Sequence, residues 1–363
     1  MENKVKYYTV SPRMLELYDK GGFSHSFRAE RAEEIAAWRM ETRRRLKEIT
    51  GLSMMESCPL EPQTLESVDM GSYFRDKVII QTEPDVWMPF YLLRPKSIPE
   101  RKKLPAMIVP HGHGGGKDVT VMNMDNPGVQ ALVKRFSDGG GRIAFAPALA
   151  EEGYLVLCPD ARGSGERREW PDWGDEASKH MGNSHRAINQ MAVGFGMSLA
   201  GMMIWDLMRL IDYVQSLPLC DGERIGCGGM SGGGMQTLWL SAMDDRVALA
   251  ITGGYFYGMK ESLVGLPHNC SCNYVPYMWN TMDMGDMAAL IAPRPLLIET
   301  GDQDHLNGKS LLDNVYPQVE IARRAYRLLD AEERLEHYVF QGGHEWRTEP
   351  ALAFVKKWLP VRS

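Results

Sequence analysis

From Leu104 onward the chain repeats one arrangement, a short apolar run followed by a helical period. The runs are Ala106–Val109, Tyr154–Cys158, Arg224–Cys227, Ala248–Thr252, Pro295–Glu299 and Glu336–Phe340. Most lack strict apolar–polar alternation, so they read as strands buried on both faces. Between them Ala200, Ile204, Leu207, Ile211 and Val214 recur in steps of four and three. Met235, Leu238, Trp239 and Ala242 share one helix face, and so do Val319, Ala322, Tyr326 and Leu329. Strand–helix alternation of this kind predicts an α/β fold with a doubly wound, mostly parallel sheet.

The first hundred residues have another texture. Arg28 to Ile49 reads as a helix on which Ile35, Trp38 and Ile49 share a face, and Gly51 is its stop. The runs Thr64–Val68, Tyr73–Gln81 and Val86–Leu93 follow, separated by Gly71, Pro84 and Asp85, as meandering antiparallel strands at one edge of the sheet would be. Residues 1–63 are accordingly expected to be an N-terminal helical extension and residues 64–363 the main α/β domain. Residues 111–150 and 160–195 fit the alternation badly. Long insertions are often functional, and these two are expected over the carboxyl ends of the strands, where open α/β sheets bind ligands.

Composition narrows the function classes. Lys and Arg number 41 against 47 Asp and Glu, a net charge of −6 that speaks against a nucleic-acid partner. The run Arg43-Arg44-Arg45 lies in an alternating-charge helical stretch and reads as a solvated face. No apolar run approaches the ~18 residues of a bilayer span, and Met1–Tyr8 lacks the apolar stretch of a signal peptide. The expectation is a cytoplasmic protein with no membrane partner. Six cysteines are too few for a disulfide scaffold. The 24 methionines suit a core or an adaptable pocket.

The chemistry centres on Gly229-Met230-Ser231-Gly232-Gly233, a G-x-S-x-G that follows a strand-like run and opens an amphipathic helix. That context is what a nucleophile elbow requires, because small neighbours let the backbone turn sharply and lift the serine oxygen above the sheet edge. A serine hydroxyl is a weak nucleophile and needs a base, which in turn needs an orienting carboxylate; after such an elbow they follow in the order acid, then His. Four histidines come after Ser231. His268 precedes the acid candidates, His305 adjoins Asp304 in one turn, and His337 falls within a strand. His344, in the loop Gln341–Trp346 after the last strand, is the expected base. In Gly301-Asp302-Gln303-Asp304 the acid Asp304 is preferred to Asp302, which reads as a turn cap. The oxyanion donors are expected to be the backbone N–H of Gly232 and one from Pro110–Gly116, with His113 ahead of Gly114.

With these residues in place the chain resembles the α/β-hydrolase superfamily, and within it the branch of acetyl xylan esterase-like and dienelactone hydrolase-like proteins. Four stretches carry the likeness: His111–Gly116, Cys158–Arg167, the Gly229–Gly233 elbow, and Leu290–Leu297 leading to Asp304 and His344. Dienelactone hydrolases carry cysteine as nucleophile, where this chain has Ser231. The resemblance implies an α/β-hydrolase fold and a serine carboxylester hydrolase with the triad Ser231, Asp304 and His344. It implies no cofactor, and as substrates small-molecule or oligosaccharide esters with acetyl or other short acyl groups.

Other features weigh less. Trp170, Trp173, Tyr277 and Trp279 lie in irregular stretches and could stack on a sugar or acyl group in the substrate pocket, or pack in a lid or core. His268-Asn269-Cys270-Ser271-Cys272 raises a metal site, but C-x-C is not a structural zinc spacing and no second pair follows, so no metal is expected. Gly226-x-Gly228-x-x-Ser231 imitates part of a dinucleotide fingerprint with serine in place of the third glycine. The rival functions are a peptidase or lactonase on the same triad, and a non-catalytic binding protein on the hydrolase fold. The N-terminal helix and strands could cover the site or build a homo-oligomer.

Overall fold

The computed structural model describes residues 7–96, 103–136, 145–174, 176–266 and 269–362, of which 132–136 by backbone alone. His268, raised above as a histidine and a possible ligand, lies outside them. Among the described residues nine strands form a single sheet: β1 (Gln63–Asp69), β2 (Tyr73–Glu83), β3 (Val86–Pro95), β4 (Leu104–Ile108), β5 (Leu155–Pro159), β6 (Cys220–Met230), β7 (Val247–Gly253), β8 (Leu296–Gly301) and β9 (Leu335–Phe340). Their order is β1-β2-β3-β5-β4-β6-β7-β8-β9. β1, β2 and β3 are antiparallel to one another and β3 is antiparallel to β5, whereas β5, β4, β6, β7, β8 and β9 are all parallel. This is the doubly wound, mostly parallel α/β sheet expected from the alternation, with antiparallel strands on one edge.

The parallel strands lack alternation because both their faces are dry. Successive residues of a strand point to opposite faces. Ala106 and Ile108 join one apolar cluster while Met107 and Val109 join the other. Leu155 and Leu157 oppose Val156 and Cys158 in the same way, as Leu296 and Ile298 oppose Leu297. On the first face lie helices Leu199–Ser216, Gly232–Met243 and Tyr316–Leu328; on the second lie Phe145–Glu151 and Thr348–Trp358.

The helix Ala32–Thr50 ends as its sequence predicts, with Gly51 left-handed at φ 73° and donating to the Glu48 carbonyl. It packs against Leu199–Ser216, and Ile35, Leu46, Ile49 and Phe27 belong to the same core as the sheet. Its basic run is ion-paired rather than free: Arg43 binds Asp245, and Arg44 and Arg45 bind Glu48. Among the described residues no single helix is long and apolar enough to cross a membrane.

Strand order positions the site. After β4 the chain steps to β5 on one side, then crosses back to place β6 on the other. Connections leaving β4 and β6 therefore depart in opposite directions, which opens a crevice at their carboxyl ends. The loop after β4 carries His111–Gly116, and the turn after β6 carries Ser231.

Candidate active site

Ser231 sits at φ 59° and ψ −118°, a conformation few non-glycine residues adopt, between β6 and the helix Gly232–Met243. Its N–H donates to the Gly253 carbonyl at 2.7 Å, which ties the elbow to the end of β7. The flanking glycines are required by crowding. A Cβ on Gly229 would come within 2.6 Å of the Pro110 carbonyl oxygen, and one on Gly233 within 2.1 Å. So the loop after β4 can lie directly on the elbow only if both positions lack side chains. Gln236 fastens that loop by donating to the carbonyls of His111 and Gly232.

The Ser231 hydroxyl opens into a cavity of about 230 Å³ whose walls are mainly apolar, with Val109, Val119, Phe145, Met181, Met230 and Trp346 contributing. His344 lies on the same wall. Its Nδ1 bonds Asp304 Oδ2 at 2.7 Å, and Asp304 is buried, with its other oxygen accepting the Leu306 N–H. Asp302 plays the turn role, accepting the Gly342 N–H at 3.0 Å and so bracing the loop that carries His344. The bare backbone of Gly254, at φ 58°, makes room for the imidazole; a Cβ there would reach 3.0 Å from His344 Cε1. His305, largely exposed, stacks edge-on beside His344, and His337 bonds Thr300 within the sheet.

Among the described residues no hydrogen bond joins Ser231 to His344. The hydroxyl instead faces His113 Nδ1 at 3.5 Å. Substrate-free hydrogen bonds at such sites are commonly long and tighten when the substrate is seated. The Gly112–His113 peptide lies against the start of the helix, since a Cβ on Gly232 would meet His113 N at 3.1 Å. The Gly232 and His113 amides thus occupy neighbouring positions beside Ser231. Gly114 also lines the cavity, packed against Met181.

The four aromatic side chains expected in the pocket lie elsewhere. Trp170, Trp173 and Tyr277 are largely exposed, and Trp279 packs against Tyr274; none of the four lines the cavity with Ser231. The cavity takes its apolar character from strand ends and loop residues adjoining the elbow instead. Phe145 and Trp346, which pack against each other, are the aromatic residues there.

Several contributors are not among the site residues that the sequence singles out. Lys117, fully buried, binds Asp160 Oδ2 at 2.8 Å and Glu166, and its own N–H bonds Asp160 Oδ1. Burial alone would lower its pKa, but Asp160 and Glu166 outweigh that and hold it above the ordinary lysine value. This network joins the loop after β4 to the loop after β5. His111 accepts the Ala161 N–H on Nε2, and burial pushes its pKa down to about 4, which keeps it neutral. Glu299, at the end of β8, is buried, accepts the Arg347 N–H and is pushed up to about 8 by burial.

Behind His113 is a cluster that the chain order hides. His113 Nε2 lies 3.2 Å from Cys272 Sγ, His185 Nδ1 lies 3.1 Å from Cys270 Sγ, and the two sulfurs are 3.1 Å apart. The hydrogen bond from Cys272, then those of His113 and His185, hold the Cys270 thiol below its ordinary value; burial and the same sulfur contact push Cys272 up. No second ligand pair lies nearby in the chain; the fold instead supplies His113, 159 positions before Cys272, and His185, 85 positions before Cys270.

Comparison with known proteins extends the likeness over the whole chain. A Bacillus subtilis (strain 168) protein described as "Putative hydrolase YtaP" is 26% identical over 330 residues, spanning 88% of this chain and all of that protein. A structure described as a putative acetyl xylan esterase from Bacteroides fragilis NCTC 9343 superposes with a TM-score of 0.75 at 16% identity, covering 99% of this chain and 91% of its own. A glucuronoyl esterase from Teredinibacter turnerae T7901 gives a TM-score of 0.61 at 15% identity, with 92% and 87% covered. The sequence matches the Abhydrolase family over residues 3–347, and with the elbow, the parallel sheet and the His344–Asp304 pair on one crevice, the chain belongs to that family of hydrolases.

Proposed function

We propose that the protein is a serine carboxylester hydrolase that removes short acyl groups, acetyl foremost, from carbohydrate. The observation that carries this reading is the opening of the strained Ser231 and the Asp304-bound His344 onto one small apolar cavity. With Nδ1 committed to Asp304, the free Nε2 of His344 takes the hydroxyl proton of Ser231. The serine oxygen then bonds to the ester carbonyl carbon, and the Gly232 and His113 amides receive the oxyanion. Collapse expels the alcohol, which leaves with the proton from His344, and water repeats the sequence on the acyl-enzyme. Asp304 holds the imidazole in the tautomer the first step needs.

The similarity of solved carbohydrate esterases supports a sugar ester as substrate. Between the two kinds of neighbour, the apolar walls favour the acetyl reading. A short acyl chain is matched by Val109, Val119 and Phe145, whereas a uronic acid on the acyl side would bring hydroxyls against them. The test is kcat/KM on p-nitrophenyl acetate, acetylated xylo-oligosaccharides and a glucuronic acid methyl ester. The acetyl substrates are expected to be turned over in preference, and Ser231→Ala to lose about 10⁶-fold in kcat while remaining folded. Turnover retained by that variant would discard the mechanism; preference for the uronate ester, or for an amide or lactone, would discard the substrate class.

A further inference from the structure

The cluster behind His113 is built from three separate segments. His113 comes from the loop after β4, His185 from the start of the helix His185–Gly194, and Cys270 and Cys272 from the single turn around Ser271–Asn273. One ligating atom from each of the four lies within 4.8 Å of every other. Zn–N bonds of ~2.0–2.1 Å and Zn–S bonds of ~2.3 Å give tetrahedral edges of roughly 3.3–3.8 Å. The separations in the cluster, 3.1 to 4.8 Å, bracket those edges, so small side-chain rotations suffice to surround an ion. His185 and Cys272 are buried and His113 and Cys270 half-buried, which gives a protected site with a way in.

We propose that His113, His185, Cys270 and Cys272 form a four-ligand site for a tetrahedral divalent transition-metal ion of zinc's class. Two imidazoles and two thiolates are the borderline-soft set such ions select, and together the thiolates neutralise a divalent charge. The surroundings match as well. Ligating histidines normally engage their second ring nitrogen in a hydrogen bond that fixes tautomer and orientation. Here His185 Nε2 bonds the buried Ser164 hydroxyl at 3.0 Å, and His113 Nδ1 faces the Ser231 hydroxyl at 3.5 Å. The Asn183 side chain donates to the His113 carbonyl at 2.9 Å, which fixes the backbone of the same residue.

Binding exchanges two thiol protons for one ion, with no change of oxidation state. It ties the loop after β4 to the segments that carry His185 and the two cysteines. It also commits His113 Nε2, so Nδ1 carries the proton and faces Ser231 as a donor that cannot take the hydroxyl proton. That leaves His344 as the only base of the pair. The assignment of these roles rests on the esterase reading; the assignment of the four ligands does not.

The test begins with metal content, measured by mass spectrometry on the full-length protein made in zinc-supplemented medium and desalted under reducing conditions. About one equivalent of zinc per chain is expected, falling to roughly a tenth or less in Cys270→Ser/Cys272→Ser. A measurement on the unaltered protein guards against a variant that fails to fold. Co(II) added after metal removal is expected to give the visible bands of a tetrahedral ion and a thiolate charge-transfer band, both displaced by Zn(II). Ser231→Ala should bind the ion like the parent, so an error in the esterase reading leaves this result untouched. A parent protein that carries no transition metal and binds neither Zn(II) nor Co(II) overturns the proposal. So does a mass two hydrogens short that localises to a Cys270–Cys272 disulfide in protein prepared without oxidant.

Discussion

Ser231 is flanked by two histidines, and the two sides of the serine differ in what lies behind the imidazole. Behind His344 is one buried carboxylate, Asp304, 2.7 Å from Nδ1. Behind His113 are two sulfurs and a second imidazole, reached through Nε2. The same kind of side chain is therefore held by different partners on the two sides of the serine. A carboxylate on Nδ1 fixes the tautomer and orientation of the ring and leaves Nε2 free, which suits a base. On the other side the Cys272 sulfur, 3.2 Å from Nε2, holds the His113 ring as a fixed neighbour. The role of a histidine is set by the partner of its far nitrogen.

The sharpest way to break this contrast is to remove each ring in turn. His344→Ala is expected to lose roughly 10⁶-fold in kcat, as loss of a base does in a serine triad. His113→Ala keeps its backbone amide and should lose only about 10- to 100-fold, the scale of a positioning contact. Stopped-flow acylation with p-nitrophenyl acetate separates them, and equal losses would make the two sides equivalent. One step further out, Asp304→Asn is expected to cost about 10⁴-fold in kcat because the imidazole adopts the wrong tautomer. Asp302→Asn, which only weakens the bond to the Gly342 N–H, should stay within about tenfold of the parent. A reversal of that pair would exchange their roles.

Smaller effects sharpen the picture around the carboxylates. Glu299 has a folded-state pKa of about 8 against an ordinary 4.5, raised by burial. The folded chain therefore binds its proton more tightly than the unfolded chain does. The stabilisation is fully present below pH 4.5 and is lost as pH rises through 8. Glu299→Gln removes that dependence, so its melting temperature relative to the parent should climb between pH 4.5 and 8; a constant difference would contradict the assignment. Least of all, Trp170→Ala should change stability by within about 0.5 kcal/mol, as expected for an exposed side chain, and leave kcat/KM on acetyl esters unaltered. A large fall in kcat/KM would put that indole at the substrate after all.

Much of the fold was legible because its signals are local. The run Pro295–Glu299 reads as a buried strand from five residues, and β8 spans Leu296–Gly301. Gly51 reads as a helix stop and adopts the left-handed cap. In Gly301–Asp304 the sequence reads Asp302 as a turn cap and Asp304 as the acid, and Asp304 is the one that meets His344. The pocket aromatics could not be read in the same way. An irregular stretch rich in tryptophan has no period, so nothing in it indicates which direction its side chains take. His185 was equally hidden, since it opens a helix of ordinary composition 85 residues from Cys270.

What the sequence determined by itself was the kind of element at each position and the elbow that carries Ser231. Those depend on backbone torsions and on side-chain periods of two and 3.6, which span only a few residues. The tertiary structure alone decided which loops meet. The crossover that puts β6 beside β4 brings His113 to Ser231 across 118 positions, and the pairing of β8 with β9 brings Asp304 to His344 across 40. Contacts of that range depend on strand order and burial summed over the whole sheet, and no short window of sequence contains either.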